Sequence, residues 1–261
     1  MSNNLISIIQ PGQALMSLRD SGYSFPTAIA EVIDNSIEAN ANNINIKLFE
    51  SINGNKKKHV DRVAIADDGD GMSIDVLHRY MVIGHSTRWM QQDTIGKYGV
   101  GAKLAALNFG LKIEAWSRES ASDDWLHVCF DLSDALELEH SGNPDAVGVN
   151  EPVAKEIPDD YKDIVSDKTG TLIVWSKVDR LESGRAADSF DELVAELTKE
   201  LGRIFRVFIN DGITISLNGK KIVHHDPLLQ MKDSWVDTVL TKELRKSDPE
   251  KAPKKGNGHY A

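Results

Sequence analysis

Between Pro26 and Ala39 the apolar residues Ile29, Val32, Ile33 and Ile37 recur at three- or four-residue spacing, while Glu31, Asp34, Asn35 and Glu38 fill the opposite side. A helix sorts these two sets onto separate faces, and Pro26 suits its first turn. An apolar stripe of this kind must be buried against another element. The next segment supplies a partner, because Ile44, Ile46 and Leu48 alternate with polar residues as a half-buried strand does. The chain is committed early to a helix lying on a sheet.

The remaining pattern extends that layer. Val63 to Ala66 reads as a second strand that ends at Asp67-Asp68-Gly69-Asp70-Gly71, and Ser73 suits the cap of a helix reaching Met81. Residues 84–101 hold Gly84, Gly96, Gly99 and Gly101 with no sustained periodicity, which predicts a long loop. Ala102 to Phe109 reads as a helix stopped by Gly110. Strands are expected at Lys112–Ser117, Trp125–Asp131 and Gly170–Ser176, the last two separated by an acidic excursion. Phe190 to Phe208 predicts one long helix, and Ile213–Leu217, Asn218-Gly219 and Lys221–Val223 predict a β-hairpin. Segment 1–22 mixes a short strand signal at Ile6, Ile8 and Ile9 with a short helix from Ala14 to Leu18. The interspersed order predicts an α+β sandwich, a mixed, mostly antiparallel sheet covered on one face by helices.

Charge is unevenly spread. The 261 residues carry a formal charge of −10, yet Glu119 to Asp167 alone holds 14 acidic and 2 basic residues, so the remainder is close to neutral. An acidic total argues against coating nucleic acid by charge alone. The lysines at 56–58 and at 251, 254 and 255 read as solvated loop and tail charges. A single cysteine, Cys129, excludes an intrachain disulfide and reads as a small buried hydrophobe. No apolar run approaches the roughly 20 residues of a membrane-spanning helix, and the N-terminus lacks the pattern of a signal peptide.

Three clusters carry chemistry. Glu31 and Asn35, four residues apart, stand one above the other on their helix. An amide oxygen suits Mg²⁺, and a carboxylate one turn away can accept a proton from water; a plain solvated face is the alternative. Asp67-Asp68-Gly69-Asp70-Gly71-Met72 follows a strand, where a carboxylate can accept from an exocyclic amine and glycines admit a flat ligand. A tight polar turn is the alternative, and an EF-hand is discounted because His78 stands where its final Glu belongs. Gly96-Lys97-Tyr98-Gly99-Val100-Gly101 runs into a helix holding Lys103, which makes a phosphate cradle from backbone amides and a helix N-terminus. That run alone is weak, being neither a Rossmann fingerprint nor a Walker A loop.

Taken in order, the clusters resemble the motifs of the GHKL superfamily, which includes DNA gyrase, Hsp90, sensor histidine kinases and MutL. Glu31-Val-Ile-Asp34-Asn35 is similar to its N box, Asp67-Asp-Gly69-Asp-Gly71 to its D-x-G-x-G box, and Gly96 to Gly101 to its ATP lid. Gly170-Thr171 opens a strand where the family places a threonine near adenine. Ile83-Gly84-His85-Ser86-Thr87 and Ile95 to Gly99 point to the MORC and Hsp90-like branch. The resemblance covers roughly residues 10–180 and implies a Bergerat-type fold. It divides the chain into an ATP-binding domain at 1–180 with its lid at 84–101, a helix-and-hairpin extension at 181–246 that can begin a transducer-like second domain, and a polar tail at 247–261 without fixed structure.

The resemblance also implies roles. Glu31 is the general base, Asn35 holds Mg²⁺, and Asp67 accepts the adenine amino group. Gly69, Gly71 and Met72 lie beside the base, Gly96 to Gly101 wrap the phosphates, Lys97 and Lys103 contact phosphate, and Thr171 lies near adenine. Asp34 orients the site. The implied protein is an ATPase, slow because the second domain that supplies a γ-phosphate lysine in gyrase, MutL and MORC-like relatives does not fit in residues 181–261. It works as an ATP-dependent homodimeric clamp, joined through segment 1–22, on a protein client or DNA, in the cytoplasm or, in a eukaryote, the nucleus. Two other readings compete. One is a nucleotide-gated binding module with incidental hydrolysis. The other is a histidine kinase-like catalytic domain, which would need an upstream helical segment with an accepting histidine.

Overall fold

The computed structural model describes residues 9–52, 58–83, 101–143, 147–181, 189–227, 231, 233 and 234. The helices are α1 (Pro11–Leu18), α2 (Phe25–Glu38), α3 (Ile74–Tyr80), α4 (Gly101–Phe109), α5 (Leu132–His140), α6 (Phe190–Ile204) and α7 (Arg206–Asn210). The strands are β1 (Asn43–Ile52), β2 (Lys58–Asp67), β3 (Gly110–Arg118), β4 (Leu126–Asp131), β5 (Val153–Ala154), β6 (Gly170–Val178), β7 (Thr214–Leu217) and β8 (Lys220–Lys221). Among the described residues the strands form one sheet in the order β5-β4-β3-β6-β2-β1-β7-β8. Every neighbouring pair is antiparallel except β1 with β7. This is the mixed, mostly antiparallel sandwich that the periodicities predict.

Strand parity decides which side chains meet the helices. In the three central strands, Ile113, Trp175 and Val63 share one row, and Ala115, Ile173 and Ile65 share the next. All six are buried in the same core as Phe25, Ile29, Val32 and Ile33 of α2 and Ala105 to Leu107 of α4. The other face of the sheet carries Ala64, Ala66, Trp116, Leu172 and Val174, covered by Ile157 and Tyr161 from the acidic excursion. That excursion therefore packs as a flap; Arg62 clamps it, stacking 4.4 Å over Phe49 and donating to Asp160 and the Tyr161 hydroxyl at 3.0 Å.

Two elements depart from the sequence pattern. α5 lies within the acidic stretch, capped by Asp131, whose carboxylate accepts from the Ser133 and Asp134 N–H groups. The long helix expected to reach Phe208 breaks at Phe205, and α7 continues separately. The hairpin of β7 and β8 joins the main sheet, with Asn43 to Ile46 in parallel register with Thr214 to Leu217. The strand expected at Ile6, Ile8 and Ile9 lies largely outside the described residues, and the tail from 247 entirely so.

Candidate functional site

The row beyond Ala115, Ile173 and Ile65 is polar. Ser117, Thr171 and Asp67 stand side by side on β3, β6 and β2, on the face that carries the helices. All three are under one tenth exposed, so their polar atoms must be satisfied within the protein or by a ligand. Ser117 Oγ lies 2.9 Å from Thr171 Oγ1 and 3.1 Å from the Gly170 carbonyl oxygen, and it accepts from the Met72 N–H at 2.9 Å. The Asp67 carboxylate accepts from Ser36 Oγ at 2.8 Å on Oδ2, and from the N–H groups of Gly69 at 3.0 Å and Thr171 at 3.2 Å on Oδ1. A carboxylate has about four acceptor positions. The three donors therefore leave Oδ2 one further position.

Burial pushes the Asp67 carboxyl above its ordinary range, against the lowering effect of its Ser36, Gly69 and Thr171 hydrogen bonds. Burial likewise raises the Tyr80 phenol, reinforced by the charge of Asp67. The other aspartates of the turn have different work. Asp68 accepts from the N–H groups of Asn42 and Asn43 and from Asn43 Nδ2, and Asp70 accepts from Asn40 Nδ2. They bind the turn to the α2–β1 connection. Gly71 has φ +77°, and a side chain there would run into the Arg118 carbonyl, so this position requires glycine for its backbone and its neighbour alike. A Cβ on Gly69 would approach the Ala39 carbonyl oxygen to 2.6 Å.

α2 connects this row to the second cluster. Ser36, fully buried, hydrogen-bonds Asp67 and also lies 3.1 Å from the Val32 carbonyl. Asn35 precedes it on the exposed side of the helix, and Glu31 lies one turn earlier, half-buried. The Glu31 carboxylate packs against Gly101, the first residue of α4. Burial raises the Glu31 carboxyl, helped by the charge of Asp34, which makes its carboxylate a stronger proton acceptor than an exposed glutamate. In the first turn of α4, burial lowers the Lys103 ammonium to about 8.

The structure thus assembles Asp67, Gly69, Gly71, Met72 and Thr171 at one end of the central strands and brings Glu31 to Gly101. Gly96, Lys97, Tyr98, Gly99 and Val100 lie outside the described residues, as does all of the expected lid except Gly101. Ser36 and Ser117 are absent from the sequence reading. Parity along Ile113, Ala115, Ser117 would have found the second. Ser36 carried no signal beyond its place after Asn35.

The family model for histidine kinase-, DNA gyrase B- and HSP90-like ATPases matches residues 23–143. Among curated proteins, the chain is similar to Protein MICRORCHIDIA 4 of Arabidopsis thaliana, with 30% identity over 94 residues, which is 35% of this chain and 11% of that protein. It is 35% identical to Protein MICRORCHIDIA 3 of the same plant over 83 residues, covering 32% of this chain and 14% of the relative. The matches thus span a small part of either relative. A crystal structure of the N-terminal domain of a DNA repair protein aligns with 80% of this chain and 54% of its own, at 18% identity and TM-score 0.48. The first two motifs, helix α2 and strands β1 to β4 fall within the matched stretch, so residues 23–143 resemble the histidine kinase-, DNA gyrase B- and HSP90-like ATPases, and the chain's similarity within that group is to the microrchidia proteins.

Proposed function

We propose that this chain binds Mg-ATP and hydrolyses it slowly, as one half of an ATP-gated homodimeric clamp. The observation that carries the reading is Asp67, a buried carboxylate fixed by three protein donors with one acceptor position to spare. An exocyclic amine of adenine supplies the missing donor, whereas the carbonyl at that position of guanine would face it with like charge. Ser117 and Thr171 complete a wall of hydroxyls beside it. From there a nucleotide lying along α2 brings its phosphates to Asn35, Glu31 and the start of α4.

The residues also suit the ion. Among the described residues no group of three or more His, Cys, Asp or Glu could cage a metal, but Mg²⁺ keeps several waters and takes phosphate oxygens. One neutral oxygen from exposed Asn35 is then a sufficient protein ligand, and the ion would neutralise phosphate charge. Glu31, with its raised carboxyl, takes the proton of the attacking water. Lys103 and the N-terminus of α4 add positive potential at the phosphates.

Glu31→Ala is expected to lower phosphate release by at least about 100-fold, the usual scale for a lost general base, with ATP affinity changed by less than about threefold, an allowance under 1 kcal/mol. Turnover assays and equilibrium titration check both. Unchanged turnover would remove Glu31 from the reaction. Scattering with a non-hydrolysable ATP analogue tests the clamp, and a chain that remains monomeric with analogue bound would contradict it.

A further inference from the structure

A second cleft lies at the opposite end of α2, about nine ångströms along the helix from Glu31 by the rise between residues 25 and 31. It has a volume of about 370 Å³ and is bordered by the start of α2, the end of α4 and the inner face of α6, a size in the range of small-molecule sites. Phe25 and Phe109, in edge contact at 5.3 Å, form an apolar wall with Leu193 and Leu197. Set into it is Asn108, 7% exposed. Its carboxamide bonds are long, 3.5 Å from Ser21 Oγ and 3.4 Å to the Tyr23 carbonyl, beyond the usual range for such bonds. It therefore has hydrogen-bonding capacity left for a ligand.

The charges at the rim have one sign left over. Arg180 donates at 2.7 Å both to the Arg19 carbonyl and to Asp20, so that its charge and that of Asp20 offset each other. Glu196, exposed on α6, is the remaining charged group of the lining. We infer that this cleft is a binding site for a small flat organic cation, an aromatic or heteroaromatic ring bearing one positive nitrogen group, separate from the Asp67 site. The ring lies on the Phe25 and Phe109 wall, a polar edge meets Asn108, and the cationic group meets Glu196. Nothing in this assignment depends on nucleotide binding.

Three probes of one shape and different charge test it: benzamidine, benzamide and benzoate, titrated into ¹⁵N-labelled protein. Benzamidine is expected to bind saturably with a dissociation constant on the order of 1 mM or tighter, which its size permits. It should shift the Asn108 side-chain amide and the backbone amides of Tyr23 and Leu197. Benzamide should bind at least about threefold more weakly and benzoate not measurably, in keeping with one uncompensated carboxylate. Glu196→Gln, an exposed change that leaves the core intact, should weaken benzamidine about fivefold and leave benzamide unaltered. Absence of saturable benzamidine binding, equal binding of the three probes, shifts centred on Asp67 and Thr171, or indifference to Glu196→Gln would each overturn the assignment.

Discussion

Asp67 and Lys103 show how burial sets the chemistry of single residues. Asp67 is ringed by donors yet its carboxyl is raised, because the loss of water outweighs three hydrogen bonds. Its folded state holds the proton to higher pH than the unfolded chain does. The stability it contributes is fully present below the ordinary aspartate range and declines as pH rises through the raised value. Lys103 is shifted to about 8 by burial. Above that value the free protein is mainly uncharged there, and a neighbouring polyphosphate favours the charged form. Nucleotide binding near pH 9 should take up on the order of half a proton. Calorimetry in buffers of different ionisation enthalpy measures this, and Lys103→Met should abolish it; equal heats in all buffers for the unmodified chain would separate Lys103 from the phosphates. Both residues stood out in the sequence by their motifs. Their shifted proton affinities were not legible, because burial depends on what the rest of the chain lays over them.

β3, β4 and the residue after β5 form a charged cluster that the site does not use. Glu114 lies 3.0 Å from Lys112, 3.1 Å from His127 and 3.5 Å from Lys155. Although burial opposes it, these partners bring its carboxyl down to about 2. Its contribution is present above the ordinary glutamate range and is lost as pH falls from there through about 2. Glu114→Gln should cost about 2 kcal/mol at pH 7, allowing for the partial exposure of both lysines, and should flatten the acid limb of the stability profile. Chemical denaturation at pH 7, 4 and 2 checks this, and an unchanged acid limb would show that the cluster contributes nothing. At this scale the sequence was most informative where one period persisted. α2, β1 and β2 follow from apolar spacing alone. α5 was hidden because its acidic surface gives little periodic contrast, its helix being fixed instead by the Asp131 cap and by Leu132 and Ala135 buried beneath it. The break at Phe205 was hidden because the apolar pattern continues through it while that side chain turns into the core.

Across the whole molecule, one buried arginine holds the N-terminal segment to the core. Arg19, 2% exposed, pairs with Asp179 through both terminal nitrogens and donates through Nε to the Leu107 carbonyl at 2.6 Å. It joins α1 to the end of α4 and to the residue after β6, so the segment expected to dimerise is tied to the helix that opens at Gly101. Arg19→Ala should destabilise the chain by about 3 kcal/mol, the scale of a broken buried pair. Asp179→Asn, at a half-exposed position, should cost less than half of that, and a thermal melt of each separates them; equal losses would place the effect in the pair alone. Nothing in the sequence distinguished Arg19, since its partners lie 88 and 160 residues away. The ordered motifs pointed to the family whose model matches residues 23–143 and to Glu31, Asp67 and Thr171 as candidate site residues, whereas Ser36, Ser117 and the second cleft required the strand register and helix packing. The central claim rests on the single open acceptor of Asp67. In Asp67→Asn the new amide can donate to Ser36 Oγ while that hydroxyl turns to the Val32 carbonyl, so the fold is expected to survive within about 1 kcal/mol. The pocket, however, then meets a donor instead of an acceptor. Titration of ATP with Mg²⁺ into both proteins should show binding by the unmodified chain weakened at least about tenfold in the variant, or 1.4 kcal/mol. Equal ATP affinity in a folded Asp67→Asn chain would contradict the account.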